Sequence, residues 1–277
     1  MNLTLLLVAS MASTGAAPVA TLNSVAVAAV LRVGLTLDYP PFSFRCADGS
    51  AAGADVDAAS DLAASLGVAL DIVPTSWTHL MADAAALRFD VAGGGISITL
   101  ERMRQVGFSK ARVHGGKVVV APCGAHELLS LWANASSLPE ATTVAVNPGG
   151  TNEAYVWAHW ADARVILVEQ GAQYDALLDG TADLTVTDST EAQLMSARHA
   201  RRLCVGSAQL TREDKALLLP RASDVPWSAY VNRWLEERQA SGAEAAALDG
   251  WLAQLAATNE SSRACSRPPP GGRGPRA

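Results

Sequence analysis

Two carboxylates, Asp188 and Glu191, are three positions apart where an apolar segment gives way to a helical one. Residues three apart in a helix share one face, so both side chains are predicted to point the same way. Partial burial and a like-charged neighbour disfavour ionisation, which keeps a carboxylic acid protonated. Such a group can donate a proton to a departing hydroxyl. A helix-capping or surface glutamate is the other interpretation that the position of Glu191 allows.

A glycine-rich turn at residues 147–153 follows an apolar run and precedes a helix-permissive segment, which Thr151 or Asn152 is expected to cap. A helix N-terminus presents unpaired N–H groups and a positive dipole end, which suit an anion. A second glycine turn, residues 93–99, precedes Arg102. Two such turns indicate two surfaces that close on one small acidic ligand, although either turn alone fits an ordinary βα connection.

The composition limits the class of protein. The chain has 277 residues, 49% of them apolar and 17% charged, which is typical of a globular protein with a full core. The net charge of -6 argues against nucleic-acid binding. The cysteines form no CxxC pair, so a zinc site is not indicated. Cys123 and Cys204 are predicted to form a disulfide, with two buried thiols as the alternative.

The order of apolar segments predicts the domain organisation. Strand-like and helix-like segments alternate, which predicts mostly parallel sheets covered by helices. The start of the chain has a short apolar core followed by small residues, as in a secretory leader, and a longer organelle-targeting leader is the alternative. No other run is long enough to cross a bilayer, so no membrane contact is expected after leader removal. The predicted boundaries are 1–30 for the leader, 31–120 plus 208–256 for lobe 1, 121–207 for lobe 2 and 257–277 for a disordered tail.

Several segments carry a family resemblance that extends from about Leu31 to Leu255. Residues 38–42, 95–102 and 187–188 resemble the two-lobed extracellular amino-acid-binding proteins. More narrowly, the segments that resemble the cyclohexadienyl dehydratases are 74–77, 94–102, 147–153 and 187–191. This resemblance implies an α/β, periplasmic-binding-protein-like (type II) fold with two lobes, in a periplasmic or secreted protein. It also implies conversion of prephenate to phenylpyruvate, and of arogenate to phenylalanine, by loss of water and carbon dioxide without a cofactor.

The resemblance assigns roles to individual residues. Glu191 is expected to be the general acid, and Arg102 to hold the carboxylate of the ligand, which a guanidinium can do bidentately. Asp188 matches the position that binds the amino group in the binding proteins, and with prephenate it would act through orientation or local field. Lys117 is either a second positive charge for a dicarboxylate or a solvated hinge lysine. The remaining expected contacts are Ser97, Thr99, Gly150, Thr151 and Asn152 as hydrogen-bond donors and Tyr39 and Trp77 as aromatic faces around a flat ring, with core packing as the alternative for the aromatics.

The chain departs from the dehydratase pattern at Ala154, where a basic residue is usual, and at Thr78, where Pro is often found. Both differences concern carboxylate binding and substrate preference more than the reaction. The rival hypothesis is a non-catalytic amino-acid-binding protein of a transporter. Glu191 discriminates between the two, because a receptor needs Arg102 and Asp188 but no proton donor. The partner in either case is a small dicarboxylate or amino acid, and a homo-oligomer is compatible with the sequence.

Overall fold

The computed structural model describes residues 21–125, 138–139, 141–160, 162–220, 222 and 224–258. The predicted tail from residue 259 onward and the first 20 residues of the predicted leader lie outside these ranges. The strands are β1 (Val30–Leu35), β2 (Asp38–Tyr39), β3 (Ser43–Arg45), β4 (Ala51–Ala52), β5 (Ala69–Pro74), β6 (Val91–Ala92), β7 (Gly107–Phe108), β8 (Val113–Gly115), β9 (Lys117–Pro122), β10 (Thr143–Val146), β11 (Arg164–Leu167), β12 (Thr185–Asp188), β13 (Leu203–Val205), β14 (Glu213–Lys215) and β15 (Leu218–Leu219). The helices are α1 (Thr21–Ala28), α2 (Ala54–Leu66), α3 (Leu80–Ala85), α4 (Leu100–Met103), α5 (Thr151–His159), α6 (Ala172–Leu178), α7 (Ser189–Arg198), α8 (Val225–Ala240) and α9 (Ala243–Ala257).

The first lobe is built on a five-stranded sheet in the order β5-β1-β6-β15-β7. Strand β1 pairs in parallel with β5 and β6, whereas β15 returns antiparallel to β6 and β7. The apolar side chains of β1 pack with those of α2 and α8 in one core cluster. Helix α2 ends at Leu66, and Gly67 is its C-cap in a left-handed conformation (φ 69°).

The second lobe contains the antiparallel sheet β12-β9-β13 and the parallel pair β10-β11. A bridge between Val144 and Leu184 joins the two. Strand β9 brings the chain from the first lobe into the second. It pairs antiparallel with β12 and β13, each of which follows a helix of the second lobe. Cys123 and Cys204 form the predicted disulfide, with an S–S distance of 2.12 Å, next to the β9-β13 ladder. Cys46 is disulfide-bonded as well.

The lobe boundaries differ from the predicted ones in two places. Residues 117–120 belong to the second sheet, because β9 pairs only there among the described strands. The short ladder β8-β14 comes just before β9 and joins the two segments that cross between lobes, so the crossing precedes Lys117. Residues 21–30, assigned to the leader, form α1 and the start of β1, and Val25 is buried in the core of the first lobe.

The C-terminal part of the described chain forms two helices, α8 and α9. Gly242, at φ 77°, separates α8 from α9, which lets the chain change direction. Trp251 on α9 is packed edge-to-face on Phe44 of the first lobe and lies in the same cluster as Tyr174 of the second. Helix α9 therefore contacts both lobes, although the sequence assigned it to the first. None of the helices in the described ranges is long and apolar enough to span a bilayer.

Candidate active site

A cavity lies between the two lobes. Its walls come from the loop ends of the first lobe and from the start of helices α5 and α7 in the second. The lining residues are Tyr39, Trp77, Gly95, Ser97, Arg102, Asn147, Gly150, Thr151, Asn152, Gln170, Asp188 and Lys215. Segments far apart in the sequence thus supply a single polar chamber.

The predicted anion-binding turn forms one wall of this cavity. Helix α5 begins at Thr151, and its N-cap is Gly150, which has no side-chain cap. The prediction that Thr151 or Asn152 caps the helix is wrong, because both lie inside it. The N-terminus of α5, left without a side-chain acceptor, faces the cavity with its N–H groups and positive dipole end. A Cβ at Gly149 would lie 2.5 Å from Thr78 Cγ2, so the lobes meet at this turn.

The second predicted anion site, the glycine turn at residues 93–99, is occupied by a carboxylate of the protein itself. The N–H groups of Gly94 and Gly95 both donate to Asp55 Oδ2, so an internal carboxylate occupies this turn. Thr99 caps α4 by accepting from the Arg102 N–H at 3.1 Å, and it does not line the cavity. The turn contributes Ser97 and Arg102 instead. The Arg102 guanidinium donates to the Ser97 carbonyl at 2.9 Å, and burial lowers its pKa.

Gly95 has a φ of 76°, and a Cβ there would lie 2.6 Å from the Phe42 ring and 2.9 Å from Tyr39. Gly95→Ala is therefore expected to destabilise the protein by about 2–4 kcal/mol, since left-handed strain adds to overpacking. Gly67→Ala is the control, because Gly67 has a similar φ of 69° but open space around it. We expect that control to lose only about 1 kcal/mol. Thermal unfolding measures both, and equal losses would contradict the packing argument.

The aromatic residues do not form the predicted sandwich. Tyr39 and Trp77 contact each other edge-to-face, with ring centroids 5.5 Å apart and planes at 89°. Two rings in direct contact leave no slot between them for a third. They present a single apolar corner to the cavity, against which one face of a ring can lie. The Tyr39 hydroxyl points away from that corner and donates to Asp188 Oδ2 at 2.6 Å.

Asp188 lies at the centre of a buried charge cluster. Its Oδ1 accepts from Lys117 Nζ at 2.8 Å, and its Oδ2 accepts from Lys215 Nζ and Tyr39. Burial would raise the pKa of Asp188, but the ammonium groups of Lys215 and Lys117 outweigh it and lower the pKa, which keeps the carboxylate ionised. Lys117 is fully buried, so the solvated-hinge interpretation of this lysine is wrong. It lies behind the cavity wall, where it also donates to Thr151 Oγ1 at 2.7 Å.

Glu191 is the other buried carboxyl group, only 2% exposed. Its Oε1 accepts from Gln170 Nε2 at 2.8 Å, and its Oε2 is hydrogen-bonded to the Thr187 hydroxyl. Burial raises the pKa of Glu191 to about 7, and the nearby charge of Asp188 adds to this. The surface and capping interpretations of Glu191 are therefore wrong. Glu191 does not line the cavity itself. The side chain of Gln170 lines the cavity and lies between it and Glu191.

The structure brings eight of the predicted site residues together around the cavity, namely Tyr39, Trp77, Ser97, Arg102, Gly150, Thr151, Asn152 and Asp188. Thr99, Lys117 and Glu191 lie outside its wall. Lys215 and Gln170 were missed. Each stands in a segment interpreted only as a strand or a loop, and no local pattern marks it. Among the described residues, no group of three or more His, Cys, Asp or Glu side chains could hold a metal ion.

This two-lobed architecture, with its polar cavity at the lobe interface, matches a known family. The model of the bacterial extracellular solute-binding proteins, family 3, matches residues 31–254. The chain belongs to this family. The match includes both lobes and every cavity residue described above.

Individual members of the solute-binding protein family show where this chain falls within it. It is 41% identical over 225 residues to a cyclohexadienyl dehydratase of Pseudomonas aeruginosa, which covers 80% of this chain and 82% of the relative. It is 26% identical over 252 residues to an L-cystine-binding protein of Escherichia coli, covering 89% and 91%. The crystal structure of an ancestral amino acid-binding protein, a precursor of cyclohexadienyl dehydratase, superposes with a TM-score of 0.76 at 28% identity, covering 84% and 99%.

Proposed function

We propose that this solute-binding protein family member is a cyclohexadienyl dehydratase, a carbon–oxygen lyase that converts prephenate to phenylpyruvate and arogenate to phenylalanine. The observation that carries the proposal is a buried carboxyl group, Glu191, whose pKa is raised to about 7, so that a substantial fraction of it carries a proton near neutral pH next to an anion-binding cavity. A solute receptor has no use for a proton donor behind its ligand. The 41% identity to a dehydratase, against 26% to a cystine-binding protein, supports the same choice.

The cavity provides the binding groups that a dicarboxylate requires. Arg102 and the N-terminus of α5 face the cavity from opposite lobes, and Lys215 adds a second side-chain cation. We assign the carboxylate of the substrate side chain to Arg102, because a guanidinium offers two parallel donors. The apolar corner of Tyr39 and Trp77 is assigned to the cyclohexadiene ring. Closure of the lobes around these groups excludes water from the reacting centre.

In the proposed reaction, protonated Glu191 gives its proton to the ring hydroxyl of prephenate as the C–O bond breaks, and water leaves. The ring carboxylate departs as carbon dioxide, and the electron pair of that C–C bond enters the ring, which becomes aromatic. Prephenate and one proton thus become phenylpyruvate, carbon dioxide and water. Glu191 is left ionised and regains its proton from solvent. This balance requires no cofactor.

Gln170 has a positioning role in this proposal. Its amide N–H₂ donates to Glu191 Oε1 and the Thr187 hydroxyl donates to Oε2, so displacement of the amide frees Oε1 to carry the proton toward the cavity. Gln170 also lines the cavity, so a substrate hydroxyl that displaces its amide would reach Glu191 directly. The second amide, Gln173, lies 3.5 Å from the same oxygen and stays behind the carboxyl group. Substrate binding would then exchange one hydrogen-bond partner of Glu191 for another.

The direct test is an assay of the purified protein with prephenate. We expect phenylpyruvate to form with release of carbon dioxide and without added cofactor. Tight binding of amino acids with no turnover of either prephenate or arogenate would support the receptor hypothesis instead. Calorimetry on the same preparation distinguishes these outcomes. A receptor gives only the heat of binding its amino acid, whereas an enzyme also releases heat for as long as it turns its substrate over.

The pKa of Glu191 predicts the pH dependence of the reaction. A general acid acts in its protonated form, so kcat/KM should be constant below about pH 7 and fall roughly tenfold per pH unit above it. The direction follows from the sign of the shift, since burial favours the neutral acid. Steady-state rates between pH 6 and 9 measure the profile. A rate that rises through pH 7 would indicate a general base and contradict the assignment.

We place the mature protein outside the cytoplasm, in a periplasmic or secreted location. The family is described as extracellular, and the disulfide between Cys123 and Cys204 requires an oxidising compartment to form and persist. The proposed partner is a small anionic substrate.

A further inference from the structure

The charges around Asp188 bear on which substrate the cavity prefers. Asp188 is the only carboxylate among the described residues that line it, and each of its oxygens already accepts from a lysine. Oδ2 accepts from the Tyr39 hydroxyl too. The carboxylate therefore has two buried ammonium partners before any ligand arrives. A substrate ammonium group could bind there only by displacing a buried ion pair, which costs several kcal/mol.

The positive charge of Lys215 also opposes the binding of a substrate ammonium group. Its side chain is 5% exposed and lines the cavity, and its Nζ donates to Ser97 Oγ at 2.7 Å as well as to Asp188. A substrate ammonium near Asp188 would have to approach this like charge where both side chains are almost fully buried, and repulsion is strong at low dielectric. A keto oxygen at the same place accepts a hydrogen bond from the ammonium. Asp188 and Lys215 thus oppose an amino substituent and favour an oxo substituent.

We propose that Lys215, by occupying Asp188, determines substrate class and makes this site prefer 2-oxo acids over the corresponding 2-amino acids. The proposal rests on the proposed function, within which it ranks prephenate above arogenate. Lys117 supports it from behind the wall, where its contacts with Asp188 and with Glu213 (3.3 Å) hold it away from the cavity. Lys215 is a specificity-determining residue in this scheme, and Glu191 remains the acid.

The test compares kcat/KM for prephenate and arogenate on one wild-type preparation. We expect prephenate to be preferred on the order of tenfold to hundredfold, because the buried polar groups suit only one of the two substituents. Turnover of prephenate together with an equal or better rate on arogenate would overturn the proposal while leaving the dehydratase function intact. If neither substrate reacts, the dehydratase function fails. Calorimetric binding of phenylpyruvate and phenylalanine then decides the preference: tighter phenylpyruvate supports it, and equal or tighter phenylalanine overturns it.

A variant pair tests the residue. Lys215→Met removes the charge and frees Asp188 Oδ2 from its ammonium partner, so the prephenate-to-arogenate ratio should shift toward arogenate by about tenfold or more. Tyr39→Phe is the matched control, because it removes a neutral donor from the same oxygen and leaves the charges unchanged. Its ratio should stay within about threefold of wild type. If Lys215→Met folds and its prephenate-to-arogenate ratio is unchanged, Lys215 does not determine the preference. If that variant does not fold, the ratio of the wild-type protein decides whether the preference exists.

Discussion

Glu191→Gln should lower kcat by about 10²- to 10⁴-fold while ligand still binds, which is the largest effect expected of any single substitution here. Glutamine has the same shape and can keep the hydrogen bonds to Gln170 and Thr187, so the fold should persist. It has no acidic proton to give to the leaving hydroxyl. The measurements are steady-state turnover of prephenate and calorimetric binding of phenylpyruvate. The fall in kcat/KM above pH 7 should also disappear in this variant.

Glu237→Gln is the matched control for Glu191→Gln. Glu237 is exposed on α8 and does not line the cavity, so the same change of charge there should leave turnover within about twofold of wild type. Full activity of Glu191→Gln would exclude Glu191 as the proton donor. Loss of activity together with loss of phenylpyruvate binding would show that the side chain organises the site rather than supplying the proton.

Arg102→Met should lower kcat/KM by roughly 30-fold or more, chiefly through a higher KM. The side chain is 9% exposed and faces the cavity, so its loss removes a buried partner of the substrate carboxylate. Loss of one partner of a buried charge pair typically costs about 2–5 kcal/mol. Arg102→Lys should fall in between, because lysine keeps the charge but not the two parallel donors. Steady-state kinetics on prephenate measure all three proteins.

Arg104→Met controls for the loss of positive charge in the same segment, since Arg104 is exposed two positions further on. That variant should stay close to wild type. An Arg102→Met protein that keeps the wild-type KM would show that the carboxylate binds elsewhere, with the N-terminus of α5 as the next candidate. Melting temperatures of all variants check that the bond from Arg102 to the Ser97 carbonyl is not needed for folding.

Local features of this protein can be predicted from its sequence, and long-range ones cannot. Local signals predict the alternating strands and helices, the turn before α5 and the closeness of Asp188 to Glu191. Each of these depends on neighbours within a few positions, where backbone geometry alone brings residues together. The family resemblance added roles for Arg102 and Glu191.

The partners of those residues depend on contacts between distant segments. Lys215 approaches Asp188 from a strand that crosses between the lobes, and Tyr39 reaches the same carboxylate across 149 positions of sequence. Asp55 takes the amides of Gly94 and Gly95 from 39 and 40 positions away, which removes that turn from the set of free anion sites. No local pattern marks such pairings, because burial and charge compensation arise only when the elements pack.

The sequence by itself indicates a carboxylic acid, Glu191, and a turn that can bind an anion, because residue types and short spacings specify which groups are present. Protonation and selectivity were decided by packing. Glu191 is buried among amide and hydroxyl groups and its pKa is raised to about 7, while Asp188, three residues before it, is paired with two lysines and stays ionised. Two carboxyl groups of similar intrinsic acidity are separated in this way because the folded protein desolvates one and surrounds the other with positive charge.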